Sequence, residues 1–265
     1  MTWLQTIVLA IVQGLTEFLP ISSSGHLVLV PAVIGWTDQG LTFDVAVHFG
    51  SLLAVAVYFR SDLKGLISGG VRLLGGNGDS PESRMALYIV IGTVPAAIAG
   101  FFLAAWIEDN LRSPLIIVYT LAGYGVLMAL ADRFGKHQRV IASVGFRDAV
   151  IIGIAQALAL VPGTSRSGIT ISAALMLGFQ RRDAARFSFL LSAPVILLAT
   201  GYETLLLFIE GTQIAWAQLA IGVSISAVVA YLSIDFFMRF VNAIGLLPFA
   251  IYRLGLAGVV WYAVV

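Results

Sequence analysis

One carboxylate and one guanidinium stand alone in two otherwise uncharged stretches of this chain. Residues 1–37 carry a single formal charge, Glu17, within Gln13-Gly-Leu-Thr-Glu17-Phe-Leu-Pro20-Ile-Ser22-Ser23-Ser24-Gly25-His26. Residues 149–180 carry only Arg166, within Pro162-Gly-Thr164-Ser165-Arg166-Ser167-Gly168-Ile-Thr170. An ion at membrane depth costs about 3 kcal/mol or more, so such residues are usually kept for a function. Gln13 and Glu17, four apart, share one face of a helix. A serine-rich loop that opens a helix presents free N–H groups and the positive end of a dipole, which suits phosphate. Arg166 adds a planar fork that matches phosphate oxygens. His26, three residues beyond Ser23, falls on the same side of the helix expected to begin there. If the two segments meet, one cavity holds a carboxylate, an imidazole, hydroxyls, a guanidinium and two helix N-termini. That set suits phosphoryl transfer, where positioning and charge stabilisation supply most of the catalysis. The residues alone leave other readings open. Glu17 and Arg166 could form a structural ion pair, the Ser/Gly breaks could serve packing, and His26 could be a satisfied core residue. His48 reads as structural, because no polar cluster surrounds it in the sequence. His137, in a charged loop, reads as solvated.

The elements that must position these groups are apolar. The chain of 265 residues is 59% hydrophobic and 11% charged, with a mean hydropathy of +0.97. Soluble domains are roughly a quarter charged, so this is an integral membrane protein. Six runs, at 43–60, 84–106, 114–131, 187–209, 216–238 and 245–265, approach the roughly 20 residues a bilayer requires. The two outlier segments differ: each has an apolar half, a Pro-Ser-Gly break and a second apolar half, neither half long enough to span comfortably. A break at membrane depth survives only where protein or a water-filled cavity covers it. The expected fold is therefore an all-α polytopic membrane protein with six transmembrane helices and two re-entrant helix-loop-helix hairpins.

Charge bias supports that count. Basic loops near Arg60 to Arg84, Arg133 to Arg147 and Arg181 to Arg186 are expected in the cytoplasm. Those near Glu108-Asp109 and Glu203 to Glu210 are acidic or neutral and expected outside. The sides alternate correctly only if the two hairpins enter from opposite faces, an inverted arrangement. A constant offset carries Gln13, Ser22, Ser24 and Gly25 onto Gln156, Ser165, Ser167 and Gly168. The expected organisation is one membrane domain of two inverted repeats, about 1–132 and 148–265, with the binding site at the breaks. The absence of cysteine excludes disulfides and thiolate metal sites. A net charge of +1 without a Lys/Arg run gives no support to nucleic-acid binding. The first segment lacks the basic start of a signal peptide and is expected to be part of the mature fold.

The two segments closely resemble the signature motifs of the undecaprenyl-diphosphate phosphatases, the bacitracin-resistance family. The similarity extends to Phe187-Ser-Phe-Leu-Leu-Ser-Ala-Pro194 and Pro248-Phe-Ala-Ile-Tyr-Arg253. The resemblance implies a bacterial inner-membrane enzyme that removes the terminal phosphate of undecaprenyl diphosphate and regenerates the lipid carrier of cell-wall synthesis. It implies a divalent cation, Mg²⁺ or Ca²⁺, held by Glu17, and an active site open to the extracytoplasmic side. It implies catalytic roles for Glu17, Ser23, His26 and Arg166, with Gln13, Ser22, Ser24, Ser165, Ser167 and Thr170 lining the site. Gln13 stands where many relatives carry glutamate, which leaves Glu17 as the one obvious carboxylate ligand. Arg166 and the helix N-termini would then hold the diphosphate, while Ser23 or a water attacks and His26 manages the proton. The implied partners are the polyprenyl diphosphate and membrane lipids; a homodimer is left open. The competing expectation is a transporter that moves the monophosphate lipid across the bilayer, since broken inverted repeats are common there.

Overall fold

A computed structural model describes residues 1–111, 113–210 and 215–264. Its helices are α1 (Trp3–Thr16), α2 (Ser23–Ile34), α3 (Leu41–Tyr58), α4 (Arg60–Leu74), α5 (Pro81–Leu111) and α6 (Pro114–Phe134), then α7 (Phe146–Leu158), α8 (Arg166–Met176), α9 (Arg181–Glu210), α10 (Trp216–Ile244) and α11 (Leu247–Val264). Among the described residues there is no strand beyond an isolated bridge of Arg139 with Phe179. Five helices, α3, α5, α6, α9 and α10, are long and apolar enough to cross a membrane. They carry large apolar side chains outward, such as Phe101, Phe102, Leu198 and Val228, as a lipid-facing surface requires. The sixth expected run, 245–265, forms α11, a shorter apolar helix.

Two expectations about loops are corrected. The stretch from Arg60 to Arg84 contains α4, whose charged residues Arg60, Asp62, Lys64 and Arg72 alternate with Leu63, Leu66, Ile67 and Val71. A basic count that marks a loop also makes the polar face of an amphipathic helix. Asp109 and Glu203 lie inside α5 and α9, because both helices run on beyond their apolar cores. The side chains of Glu108 and Glu210 are outside the described residues. The basic segments are also partly neutralised by acids. Asp132 accepts from Arg181 Nε at 2.6 Å and from the Leu246 N–H at 3.0 Å. Arg139 grips both oxygens of Asp148, at 2.9 and 2.6 Å, and Arg186 pairs with Asp62. His137, expected to be solvated, is half-buried with Nε2 2.9 Å from the Asp132 carbonyl.

Small residues set the helix contacts that hold the two breaks in place. Where α1 crosses α10, a Cβ on Gly14 would stand 2.8 Å from the Ser226 carbonyl oxygen. Where α3 crosses α10, a Cβ on Gly50 would stand 2.5 Å from the Val223 carbonyl oxygen. Likewise α7 lies on α5, with Gly153 backed directly onto Gly92. Each broken helix thus rests its first arm on a long helix from the other half of the chain, through close backbone approach. The core between them is aromatic: Phe189 meets Phe18 edge-on at 5.2 Å and Phe237 at 5.7 Å.

Adding a methyl at such a crossing forces the helices apart. Gly50→Ala is expected to destabilise the protein by about 1–3 kcal/mol, read as a lowered thermal midpoint in detergent. Gly70→Ala, in open space on α4, should leave the midpoint unchanged or raise it. Equal behaviour of the two variants would contradict the close approach of α3 and α10.

Candidate active site

Both breaks are built by the same local device. After α1, Pro20 lacks an N–H and biases Leu19 toward extended conformations, so the helix cannot continue. Ser22 then takes φ 75° and ψ 91°, and its Oγ accepts from the Gly25 N–H at 3.4 Å, capping α2. After α7, Pro162 stops the chain in the same way. Ser165 takes φ 68° and ψ 111°, and its Oγ accepts from the Gly168 N–H at 3.2 Å, capping α8. A non-glycine residue at positive φ costs about 1–3 kcal/mol and persists only where its surroundings over-determine it. Gly163, at φ 86°, lets the second break press against α6; a Cβ there would meet Thr120 Oγ1 at 2.2 Å. Thr120 Oγ1 donates instead to the Pro162 carbonyl at 2.7 Å.

The two breaks meet. Arg166 Nη2 donates to Glu17 Oε1 at 2.7 Å, and Ser167 Oγ donates to the Leu19 carbonyl at 3.2 Å. The other oxygen of Glu17 accepts from Ser23 Oγ at 2.6 Å and from Gln13 Nε2 at 3.1 Å. Gln13 Nε2 also lies 3.4 Å from Ser51 Oγ, which ties the carboxylate cluster to α3. The ion pair is nearly buried, with side-chain exposures of 13% for Arg166 and 6% for Glu17. Removing one partner of a pair so enclosed would leave an uncompensated ion. Arg166 still has Nη1 buried without a partner, and Gln13 has Oε1 in the same condition. One half of the guanidinium fork is therefore free to bind an anion.

The other predicted residues divide. Ser24 is exposed at the first turn of α2. Ser22 and Ser165 are buried and spend their oxygens on the caps. Thr170 spends its hydroxyl on the Arg166 carbonyl at 2.7 Å and on Ser188 Oγ at 2.6 Å, fastening α8 to α9. His26 has partners of its own. Its Nδ1 lies 2.7 Å from the Ser22 carbonyl and its Nε2 lies 2.7 Å from the Tyr252 hydroxyl, while Ser23 turns to Glu17. A spacing of three puts Ser23 and His26 on one side of a helix, but the caps decide where each side chain bonds.

Two residues were missed. His48 has a polar cluster after all: its Nε2 stands 3.6 Å from Glu17 Oε2, and its Nδ1 donates to the Asp44 carbonyl at 2.7 Å. The signal available was its distance of three residues from Ser51 on the same helix, a weak one. Tyr252 had no signal beyond its place in the Pro248 to Arg253 stretch. A cavity of about 500 Å³ lies away from the breaks, between α4, α5 and α9, lined by Asp62, Glu82, Arg84, Tyr88 and Arg186 among others.

No group of three or more His, Cys, Asp or Glu side chains gathers among the described residues. Even so, the site offers hard oxygens in the Glu17 carboxylate and the unpartnered Oε1 of Gln13, four residues away on the same helix face. Such oxygens suit Mg²⁺ or Ca²⁺ when the remaining ligands are water and substrate phosphate.

The described residues make a helical membrane protein in which a buried carboxylate, a half-free guanidinium and two capped helix N-termini meet at one point, a donor set that suits an oxyanion. The chain belongs to the family of the bacitracin resistance protein BacA, whose family model matches residues 6–259. It is 54% identical over 263 residues to the undecaprenyl-diphosphatase of Hahella chejuensis, covering 98% of each chain. It is 51% identical over 262 residues to that of Nitrosococcus oceani, covering 99% of each. With that of Teredinibacter turnerae it shares 49% identity over 264 residues and the full length of both.

The caps give a direct test of the site's construction. Ser165→Ala removes the cap oxygen and keeps a Cβ at positive φ, so a loss of about 1 kcal/mol or more is expected. Ser165→Gly loses the same oxygen but accommodates the backbone, at a cost of a few tenths. Thermal unfolding in detergent should rank wild type, glycine and alanine in that order; alanine at or above glycine would contradict the strained cap.

Proposed function

We propose that this protein is a membrane phosphatase that hydrolyses undecaprenyl diphosphate to undecaprenyl phosphate and inorganic phosphate. This reaction recycles the lipid carrier of cell-wall synthesis. The observation that carries the reading is Arg166: one guanidinium nitrogen holds Glu17 beside Ser23, and the other is buried without a partner. The named relatives and the family support the substrate; the geometry supports the roles that follow.

The terminal phosphoryl group sits at the facing N-termini of α2 and α8, where the backbone N–H groups of Ser23, Ser24, Arg166 and Ser167 open toward it. Arg166 Nη1 binds its equatorial oxygens and offsets the charge of the transition state. Ser23 Oγ attacks phosphorus as its proton passes to Glu17 Oε2, already 2.6 Å away. The bond from phosphorus to the bridging oxygen breaks, and the electron pair leaves with the lipid monophosphate. Water then hydrolyses the phosphoserine: one of its protons passes to His26 Nε2 as the Tyr252 hydroxyl gives way, the bond from phosphorus to Ser23 Oγ breaks, and Glu17 returns its proton to that oxygen. Gln13 and His48 hold the carboxylate in place, and Ser167 keeps the two breaks joined. Glu17 and Gln13 Oε1 would hold a Mg²⁺ or Ca²⁺ ion, which neutralises diphosphate charge when bound.

The finer architecture follows the same reading. Helices α1–α2 and α7–α8 form two re-entrant hairpins, and α11 joins the five long helices as a sixth span. The halves 1–132 and 148–265 make an inverted repeat within one domain. The recurrence of the strained serine cap at Ser22 and Ser165 supports this repeat. The basic ends face the cytoplasm of a bacterial inner membrane, and the site opens to the other side.

Phosphate release from undecaprenyl diphosphate in detergent tests the reading against a transporter, which would translocate the lipid in liposomes without release. Chelation of divalent cations should stop release, and Mg²⁺ or Ca²⁺ should restore it. Arg166→Lys keeps a charge but loses the fork, and kcat/KM should fall about 100-fold. Rapid quench should trap phosphoserine at Ser23, whereas near-normal turnover by Ser23→Ala would assign the attack to water.

A further inference from the structure

Helix α11 belongs to neither break, yet it is fixed against both. Arg253 is fully buried, and among the described residues its hydrogen bonds all go to backbone carbonyls. Its Nε donates to Leu121 O at 3.2 Å, and its Nη2 to Thr120 O at 3.2 Å and Gly163 O at 2.8 Å. Three bonds to α6 and to the second break set the register of α11. Gly125 and Gly168 leave room for it: a Cβ on the former would stand 3.3 Å from Arg253 Cβ, and on the latter 3.3 Å from Nη1. A buried guanidinium bonded only to backbone is a costly way to hold a helix, which suggests that the neighbouring residue needs exact registration.

That neighbour is Tyr252. Its hydroxyl lies 2.7 Å from His26 Nε2, with the two rings within 8° of parallel. The opposite nitrogen, Nδ1, lies 2.7 Å from the Ser22 carbonyl oxygen. A carbonyl only accepts, so Nδ1 carries the proton. In the neutral ring Nε2 then only accepts, and Tyr252 must be the donor. The imidazole is thus held at both ends, in one tautomer and one orientation.

We infer that Tyr252 is the positioning residue for His26, making α11 the third element of the active site after the two breaks. This rests on the phosphatase reading above. The Ser22 carbonyl selects the tautomer, and Tyr252, holding the opposite nitrogen, fixes the ring plane. The residue that carries this role comes from the far end of the chain, and Arg253 aligns it with a break to which it also bonds.

The experiment joins kinetics to nitrogen-15 NMR. The chain has 3 histidines, so selective histidine labelling gives a spectrum in which His26→Gln assigns the His26 signals. In wild type the neutral ring should show a protonated Nδ1 and a hydrogen-bonded, unprotonated Nε2. Tyr252→Phe should shift the Nε2 signal while Nδ1 stays protonated. In the phosphate-release assay Tyr252→Phe should lower kcat by at least about ten-fold while KM stays within about two-fold. His26→Gln with Tyr252→Phe should be no slower than His26→Gln alone, because both act through one ring. A protonated Nε2 in wild type, an Nε2 signal indifferent to Tyr252→Phe, a kcat within about two-fold of wild type, or multiplicative losses in the double variant would each overturn the assignment. A wild-type protein that releases no phosphate would instead sink the phosphatase reading, and the NMR arm would still decide whether Tyr252 positions His26.

Discussion

The bond from Arg166 to Glu17 is the constraint on which the rest of the structure depends. Each residue is the one charge in a long apolar stretch, and each is nearly buried. Neither ion could be kept there alone, since desolvation would outweigh anything but a close opposite partner. The pair at 2.7 Å therefore requires two breaks separated by almost 150 residues to arrive at the same place. That requirement explains the glycine crossings. Gly14 seats α1 on α10, and Gly153 seats α7 on α5, so the first arm of each broken segment rests on a helix from the opposite half of the chain. Aromatic packing of Phe18 on Phe189 then closes the space beside the pair.

Much of this was legible in the sequence, because charge in apolar surroundings is a strong signal with few explanations. Five of the six expected long runs became long helices, and both breaks fell where proline and serine stopped the pattern. What could not be read was the division of labour among the hydroxyls. Ser22, Ser165, Ser167 and Thr170 look alike in sequence, yet they cap two helices, tie the breaks together and fasten α8 to α9. The caps depend on backbone angles, φ 75° and 68°, that no composition rule prescribes for serine. Helix α4 was missed for a related reason: glycines and charges suggest a loop until the amphipathic period is given its due.

The partners of the two site histidines were illegible for a different reason. His48 and His26 are joined to the site by contacts of tertiary origin, to Glu17 from α3 and to Tyr252 from α11. Local spacing placed His26 on the side of Ser23, whereas its side-chain partner, Tyr252, is 226 positions away. Long-range pairing of this kind leaves no trace in one sequence.

The apparent wealth of hydroxyls at the breaks also misleads about how an anion is held. Ser23 is committed to Glu17, Ser167 to Leu19, Thr170 to Ser188, and the two cap serines to Gly25 and Gly168. What is left for a phosphate is the free half of the Arg166 fork and the first N–H groups of two helices. These donors are fixed in place before the ligand arrives, so little reorganisation accompanies binding. Because Arg166 can hold Glu17 with one nitrogen and an anion with the other, the ligand need not break the ion pair that assembles the site. The interaction that allows the fold to place two charges in the membrane is thus the same one that leaves the second guanidinium nitrogen open for the anion of the proposed reaction.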